Sequence, residues 1–326
     1  MNIKELKKVL KKELLLSSKV FIAGHNDLDL DAIAAAIGIS LIAKKYHKDS
    51  YIVTDDLDLE PGVEKVINEV KKDFTIINTK KLKTLLDDNS ILIIVDTNVG
   101  KLVCCNDFIE KFSKVIVIDH HKINKGTLNV ENLFIFDDVS STCEIMTALI
   151  KEIGITLTDK LATIILSGIV LDTNNFTTRC DRTTFYYAYH LLSKGASLKD
   201  VQTLLKQDMA VFIKNQKILT NTKILPNGIA LANGEENEIY HKPDLAKMAE
   251  LLLEFNGIET TFVYGYIANN VIGVSARSRG DINVGLLMEK LMGGGSEGEA
   301  ATRIENKTLK ETEKVILKIL KNRGNL

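Results

Sequence analysis

KVIVIDHHK, Lys114 to Lys122, runs four β-branched apolar residues straight into an acid and two histidines. An unbroken apolar run of this length, rich in valine and isoleucine, fits a strand buried on both faces, as in a parallel sheet covered by helices. Two of the chain's six histidines stand side by side at its end. Similar short runs occur at 19–23, 51–53, 74–77, 91–95 and 133–136, with helical periodicity over 30–45 and 62–70 between them. Strands alternating with helices predict a doubly wound, mainly parallel α/β sheet.

From Ser141 to about Leu205 the pattern is largely helical, and beyond Lys206 it changes again. Two of the three prolines, Pro226 and Pro243, lie in this last part. Strand-like runs fall at 228–232, 260–267 and 271–274, with helical patterns at 245–254, 282–291 and 309–320. We therefore expect a first domain over 1–206, a helical linker over 207–220 and a smaller α/β domain over 221–326, with the active site in the cleft between the two domains.

Composition bounds the function. The 326 residues are 45% hydrophobic and 26% charged, as in a globular protein. No run of eighteen apolar residues is present, and the lysine-rich amphipathic start, MNIKELKKVLKKELLL, is not a secretory signal, so a cytoplasmic protein with no membrane partner is expected. The four cysteines form neither a CxxC pair nor a disulfide framework. A net charge of −1 with no basic block argues against a grip on long nucleic acid and leaves a small anionic ligand.

In doubly wound sheets ligands bind beyond the carboxyl ends of the strands. The first strand is followed by His25, Asp27, Asp29 and Asp31; the run 91–95 by Asp96; the run 115–118 by Asp119, His120 and His121. The apolar helix DKLATIILSGIVLD ends at Asp172. One acid after a strand is usually a cap or turn residue. Several carboxylates gathered together need cations, and with no matching lysines nearby in sequence, divalent metals answer. Mixed imidazole and carboxylate ligands suit manganese, iron, cobalt or zinc rather than calcium. Six such ligands are enough for two metals, the device that hydrolyses phosphate esters.

The motifs GHNDLDLDA (24–32), VDT (95–97), DHH (119–121) and GIVLDT (168–173), with the helix opening SSTCE (140–144), resemble those of the DHH phosphoesterases. SARSRGDINVG (275–285) and GGGSEGEAAT (293–302) resemble the DHH-associated domain, and the likeness covers nearly the whole chain. The wording of DTNNFTTR, RTTF and SARSRGDINVGLLMEKLMGGG is most similar to the catalytic module of cyclic-di-AMP phosphodiesterases. A soluble version, without the transmembrane and sensory segments of those enzymes, is expected.

The resemblance implies that His25, Asp29 and Asp96 hold one manganese, and that Asp31, Asp96, His120 and Asp172 hold a second, with Asp96 bridging. Asp119 is expected to support the imidazole of His120, as ligating histidines need, and His121 to face the phosphate, as contact or proton donor. Asp27 is not a motif position, and His47, His190 and His241 match no motif. Ser141-Thr-Cys-Glu144 also spells a capping box, and its helix N-terminus could hold a phosphate oxygen. In the second domain the expected substrate contacts are Ser275, Arg277, Ser278, Gly293, Gly294, Gly295 and Ser296. The glycines are expected ahead of a short helix, and Asn283 and Asp281 as caps of the helix that follows them. Ser296 stands where the family usually has histidine.

The implied function is a manganese-dependent phosphodiesterase that opens cyclic di-AMP to pApA by a two-metal route. The alternative is hydrolysis of pApA or short oligoribonucleotides to mononucleotides; a non-catalytic dinucleotide-binding protein is less favoured. The implied partner is a cyclic dinucleotide or short oligoribonucleotide, and a homodimer is a family-level expectation.

Overall fold

The computed structural model describes residues 2–55 and 59–321. The last five residues of the expected second domain, 322–326, lie outside the described residues. The chain divides into two compact units, Met1–Lys206 and Gln207–Leu326.

In the first unit α1 (Ile3–Leu16) leads into β1 (Val20–Ala23), α2 (Leu30–Lys45), β2 (Ser50–Val53), α3 (Pro61–Val70), β3 (Thr75–Ile77), α4 (Thr79–Leu85) and β4 (Ile91–Val95). Two short 3-10 turns precede β5 (Lys114–Asp119) and β6 (Asn132–Ile135). Four helices complete the unit: α5 (Thr142–Ile153), α6 (Asp159–Asp172), α7 (Arg182–Ser193) and α8 (Leu198–Leu204). All six strands pair in parallel, in the order β3-β2-β1-β4-β5-β6.

The hydrophobic pattern explains this sheet. Val20 and Ile22 enter one core and Phe21 and Ala23 the other, so every residue of β1 is buried. Burial of each large apolar side chain contributes about 1.5–3 kcal/mol. Helix α2 is buried nearly all round because its many alanines let it lie close to α5 and α6. Helix α1 is amphipathic: Leu6, Leu10 and Leu14 form one buried stripe while its lysines face outward.

The strand order has its switch point between β1 and β4, where successive connections leave in opposite directions. The register aligns Ala23 with Ile94 and Val95 with Ile118. Continued past the strand ends, it sets His25, Asp96 and Asp119 at one level.

The second unit comprises α9 (Met209–Thr220), β7 (Lys223–Leu225), β8 (Ile229–Asn233), α10 (Lys242–Leu252), β9 (Thr260–Ala268), β10 (Val271–Ser278), α11 (Val284–Glu289), β11 (Gly294–Gly295), β12 (Glu299–Glu305) and α12 (Leu309–Lys321). Its mixed sheet runs β11-β12-β10-β9-β8-β7, with only β8 and β9 parallel. Phe262, Tyr264, Ile272 and Val274 pack with residues of α11 and α12, while Ala230, Ala232 and Val263 pack with residues of α9 and α10. The helix expected as a linker is thus α9, packed on β8 and α10 within this unit.

One further sequence expectation differs from the structure. No helix follows the triple glycine: Gly294–Gly295 form β11, which turns back onto β12. Here φ is +151° at Gly295, and a β-carbon would collide with the Glu299 carbonyl, so the glycine serves a tight turn. The strand β12 was not legible because its inward positions, Ala300, Thr302 and Ile304, include only one large apolar residue.

Candidate metal centre

Each candidate ligand reaches the first unit's sheet edge for a local reason. Asp29 is the N-cap of α2, its Oδ1 accepting from Ala32 N at 2.9 Å, which leaves Oδ2 facing His25 Nε2 at 3.7 Å. Asp31 lies in the first turn of the same helix. Asp172 is the last residue of α6, and His120 and His121 follow β5 directly. Asp96 adopts φ +60°, a left-handed conformation that turns the chain sharply as it leaves β4.

Three overlapping groups result, each with ligand atoms within 4.8 Å of one another: His25, Asp29 and Asp96; Asp31, His120 and Asp172; and Asp96, Asp119, His120 and His121. Asp96 stands between the first two, with Oδ2 3.3 Å from His25 Nε2 and Oδ1 3.5 Å from His120 Nε2. His120 Nε2 also lies 3.1 Å from Asp172 Oδ2.

The atoms left unsatisfied test whether these residues suit a metal. His25 Nδ1 lies 2.6 Å from the Asn26 carbonyl, which can only accept, so Nδ1 carries a proton and Nε2 is the ring atom that faces the carboxylates of Asp29 and Asp96. His120 Nε2 is buried without a hydrogen-bond partner. Burial, compounded by the charges of Asp96 and Asp172, pushes the Asp31 carboxyl well above its usual range. Asp172 is pushed the same way by burial and by Asp96 and Asp29. Burial opposes a charge on His25, yet the carboxylates of Asp29 and Asp96 override it and push its pKa up to about 12. A buried imidazole nitrogen without a partner, and carboxylates that would rather be protonated, are what divalent cations relieve. The donor set fits such ions.

The supporting contacts were not foreseen. The amides of Thr142 and Cys143 donate to Asp31 Oδ2 and Oδ1 at 2.7 and 2.8 Å, so the N-terminus of α5 holds a carboxylate of the cluster. Thr142 Oγ1 donates to Asp96 Oδ1 at 3.0 Å. Asn98 donates through Nδ2 to Asp119 Oδ2 at 2.7 Å and to the His121 carbonyl at 2.9 Å. The signal for Thr142 was the SSTCE stretch, read for its capping box and helix N-terminus; Asn98 follows VDT directly.

Asp119 is fully buried, and its Oδ1 accepts from the amides of His120 and His121 and lies 2.8 Å from His121 Nδ1. The imidazole it orients is therefore that of His121 rather than His120. Burial disfavours both charges, but each stabilises the other: Asp119 is held below its usual range, and His121 is raised to about 9.

Ser141 is fully buried, and its Oγ accepts from Glu144 N as the cap of α5. The capping box is only half formed: Glu144 Oε2 accepts from Ser140 N and Oγ and from Thr184 Oγ1 instead.

In the second unit, Ser275, Arg277 and Ser278 lie on β10. Ser275 is buried, and Ser278 Oγ is 3.0 Å from Thr260 Oγ1. Ser296 Oγ accepts from Glu299 N in the turn between β11 and β12. Asn283 caps α11 by accepting from Leu286 N.

A DHH-type α/β fold with a carboxylate–imidazole cluster at its switch point defines the class, and comparison with known proteins names it. Residues 19–169 match the DHH family, N-terminal domain, and residues 224–323 match the DHHA1 domain. The chain thus carries a DHH-family N-terminal domain followed by a DHHA1 domain. It is 34% identical over 306 residues to the cyclic-di-AMP phosphodiesterase GdpP of Geobacillus thermodenitrificans, covering 91% of this chain and 46% of that protein. It is 33% identical over 308 residues to the cyclic-di-AMP phosphodiesterase PdeA of Listeria monocytogenes, covering 92% of this chain and 47% of that protein. The chain thus spans about half the length of these relatives. An exopolyphosphatase-related protein from Bacteroides fragilis shares the fold with a TM-score of 0.84 at 20% identity, over 98% of this chain and 96% of that one. Among the described residues no helix is long and apolar enough to cross a membrane.

Proposed function

We propose that this chain is a two-metal phosphodiesterase that uses manganese and hydrolyses cyclic di-AMP to pApA. The observation that carries the reading is the convergence of His25, Asp29, Asp31, Asp96, His120 and Asp172 around one unsatisfied ring nitrogen, His120 Nε2, and protonation-prone carboxylates. The choice of substrate is supported by relatives of about one-third identity named as cyclic-di-AMP phosphodiesterases.

His25, Asp29 and Asp96 would hold one ion, and Asp31, Asp96, His120 and Asp172 the other. Once bound, the ions would supply Lewis acidity, lowering the pKa of a water and neutralising charge on the phosphoryl oxygens. The protein's own groups do the rest. Thr142 and Asn98 fix Asp96 and Asp119, and Asp119 turns the His121 ring and stabilises its charged form. His121 is half-exposed, so its proton can pass to the departing 3′-oxygen. Ser275, Arg277 and Ser278 on β10, with the turn at Gly293–Ser296, supply contacts to the substrate in this reading; Arg277 is the phosphate contact. Two copies assemble as a homodimer in the cytoplasm.

Product analysis tests this. Manganese-loaded protein is given cyclic di-AMP, pApA and a short oligoribonucleotide, with Asp96→Ala as control. Conversion of cyclic di-AMP to pApA is expected. Cleavage of the linear substrates alone would replace the cyclic substrate by pApA or short RNA, and no cleavage of any would sink the catalytic reading.

A further inference from the structure

Arg277 in the second unit is held in an unusual way. Its side chain is 16% exposed, and Nη1 donates to Ser275 Oγ at 3.3 Å and to the Ala276 carbonyl at 3.0 Å. These bonds fix the guanidinium plane from one side. The other edge, Nε and Nη2, is the fork that grips a carboxylate or phosphate with two parallel bonds. That edge faces Glu250 Oε2 at 3.7 Å and Glu299 Oε2 at 4.0 Å, both beyond hydrogen-bond length. Glu299 is the residue directly opposite Arg277 in the β10–β12 pairing, so its place is set by strand register. Glu250 comes from α10 and is anchored from outside: its other oxygen, Oε1, bonds Arg279 Nη2 at 2.8 Å.

We propose that Glu250 and Glu299 are built-in competitors for the phosphate fork of Arg277, and that Glu250 in particular sets how tightly the substrate phosphate is held. The inference rests on the reading of Arg277 as a phosphate contact. Both carboxylates are close enough to neutralise the guanidinium and too far to satisfy its donors. An arriving phosphate offers the two short bonds they withhold, but it must displace their charge. Arg279 keeps Glu250 from moving onto the fork by holding its other oxygen.

The test compares wild type with Glu250→Gln and Glu299→Gln, with Arg277→Gln as the control that removes the fork. Binding of pApA is measured by calorimetry in excess chelator, where no hydrolysis occurs, and the KM for cyclic di-AMP is measured with manganese. Glu250→Gln is expected to tighten pApA binding and lower KM by roughly two- to fivefold, the reach of a partly exposed charge pair, with kcat moving less than KM. Glu299→Gln shifts both the same way by a smaller factor. Unchanged or weaker binding in Glu250→Gln, or no pApA binding by either protein, overturns the proposal. If the manganese-loaded wild type cuts none of the substrates while the binding difference remains, the functional reading falls and the competition at Arg277 stands.

Discussion

Gly168 of α6 lies so close to Asp31 of α2 that a β-carbon on the glycine would meet Asp31 Oδ1 at 2.6 Å and Asp31 Cα at 2.9 Å. The same β-carbon would sit 2.5 Å from Cys143 Sγ. Three helices thus converge on one hydrogen-sized gap beneath the carboxylate–imidazole cluster. Gly168→Ala is expected to cost about 1–3 kcal/mol through overpacking and to displace the Asp31 carboxylate from its bonds to α5. Chemical denaturation and manganese titration should both report the loss; an alanine variant of unchanged stability and unchanged metal affinity would contradict the close packing.

Thr142→Val removes one hydroxyl, the donor to Asp96 Oδ1, while keeping size and shape. Groups that orient metal ligands typically contribute about 10–100-fold in metal affinity or activity. We expect manganese affinity to fall by about tenfold with the apparent melting temperature of the metal-free protein little changed. Equal affinity in the two proteins would show that the hydroxyl does not position Asp96.

The charge on His121 depends on Asp119. In metal-free protein its imidazole titrates near 9 because the buried carboxylate 2.8 Å away stabilises the charged ring. Asp119→Asn keeps the shape and removes the charge, so the His121 pKa is expected to fall well below its wild-type value. Nuclear magnetic resonance titration of the ring in the presence of chelator reads this directly, and an unshifted titration would disprove the assignment.

Stability of the metal-free protein should fall as pH rises from 6.5 to 9. His25 and His121 are raised to about 12 and about 9, so the folded chain keeps protons that the unfolded chain releases near 6.5. Their contribution is complete below pH 6.5, and that of His121 is gone once pH passes about 9. Raised Asp31 and Asp172 act in the same sense, favouring the folded state while protonated and ceasing to do so as pH rises. Depressed Asp29 and Asp119 oppose this only in acid, where their contribution is lost as pH falls below the usual carboxylate range. Half-exposure of the His121 ring lessens its share through solvent screening. Manganese displaces these protons, so melting curves taken with the ion should lie higher and vary less over that pH range. A metal-free melting temperature that rises between pH 6.5 and 9 would refute the argument.

Much of this was legible in the chain itself. β-branched runs such as Val115–Ile118 fix strands without reference to partners, because a side-chain period of two with both faces apolar has few other uses. Polar residues at the ends of such runs must lie at the sheet's edge, so His25, Asp96 and the Asp119–His121 triplet were recognisable as a cluster from sequence. The helix Leu30–Lys45 was also readable, since its cap and its apolar content are local. The turn after the triple glycine was not, because glycine permits several backbone paths and the strand β12 chosen carries little apolar signal.

What the sequence alone determined, then, was which residue types meet: local hydrophobic pattern sets the strands, and strand order of a doubly wound sheet brings their ends to one side. Tertiary structure decided how those residues divide the work. That Asp119 supports His121 and not His120, that the amides of α5 are taken by Asp31 and not left for a ligand, and that Glu250 faces Arg277 are contacts between segments 2 to 112 residues apart. The last two follow from helix packing and strand register, which no local pattern encodes; the first is local in sequence but turns on side-chain geometry, because a hydrogen bond a few tenths of an ångström longer or turned aside belongs to a different partner.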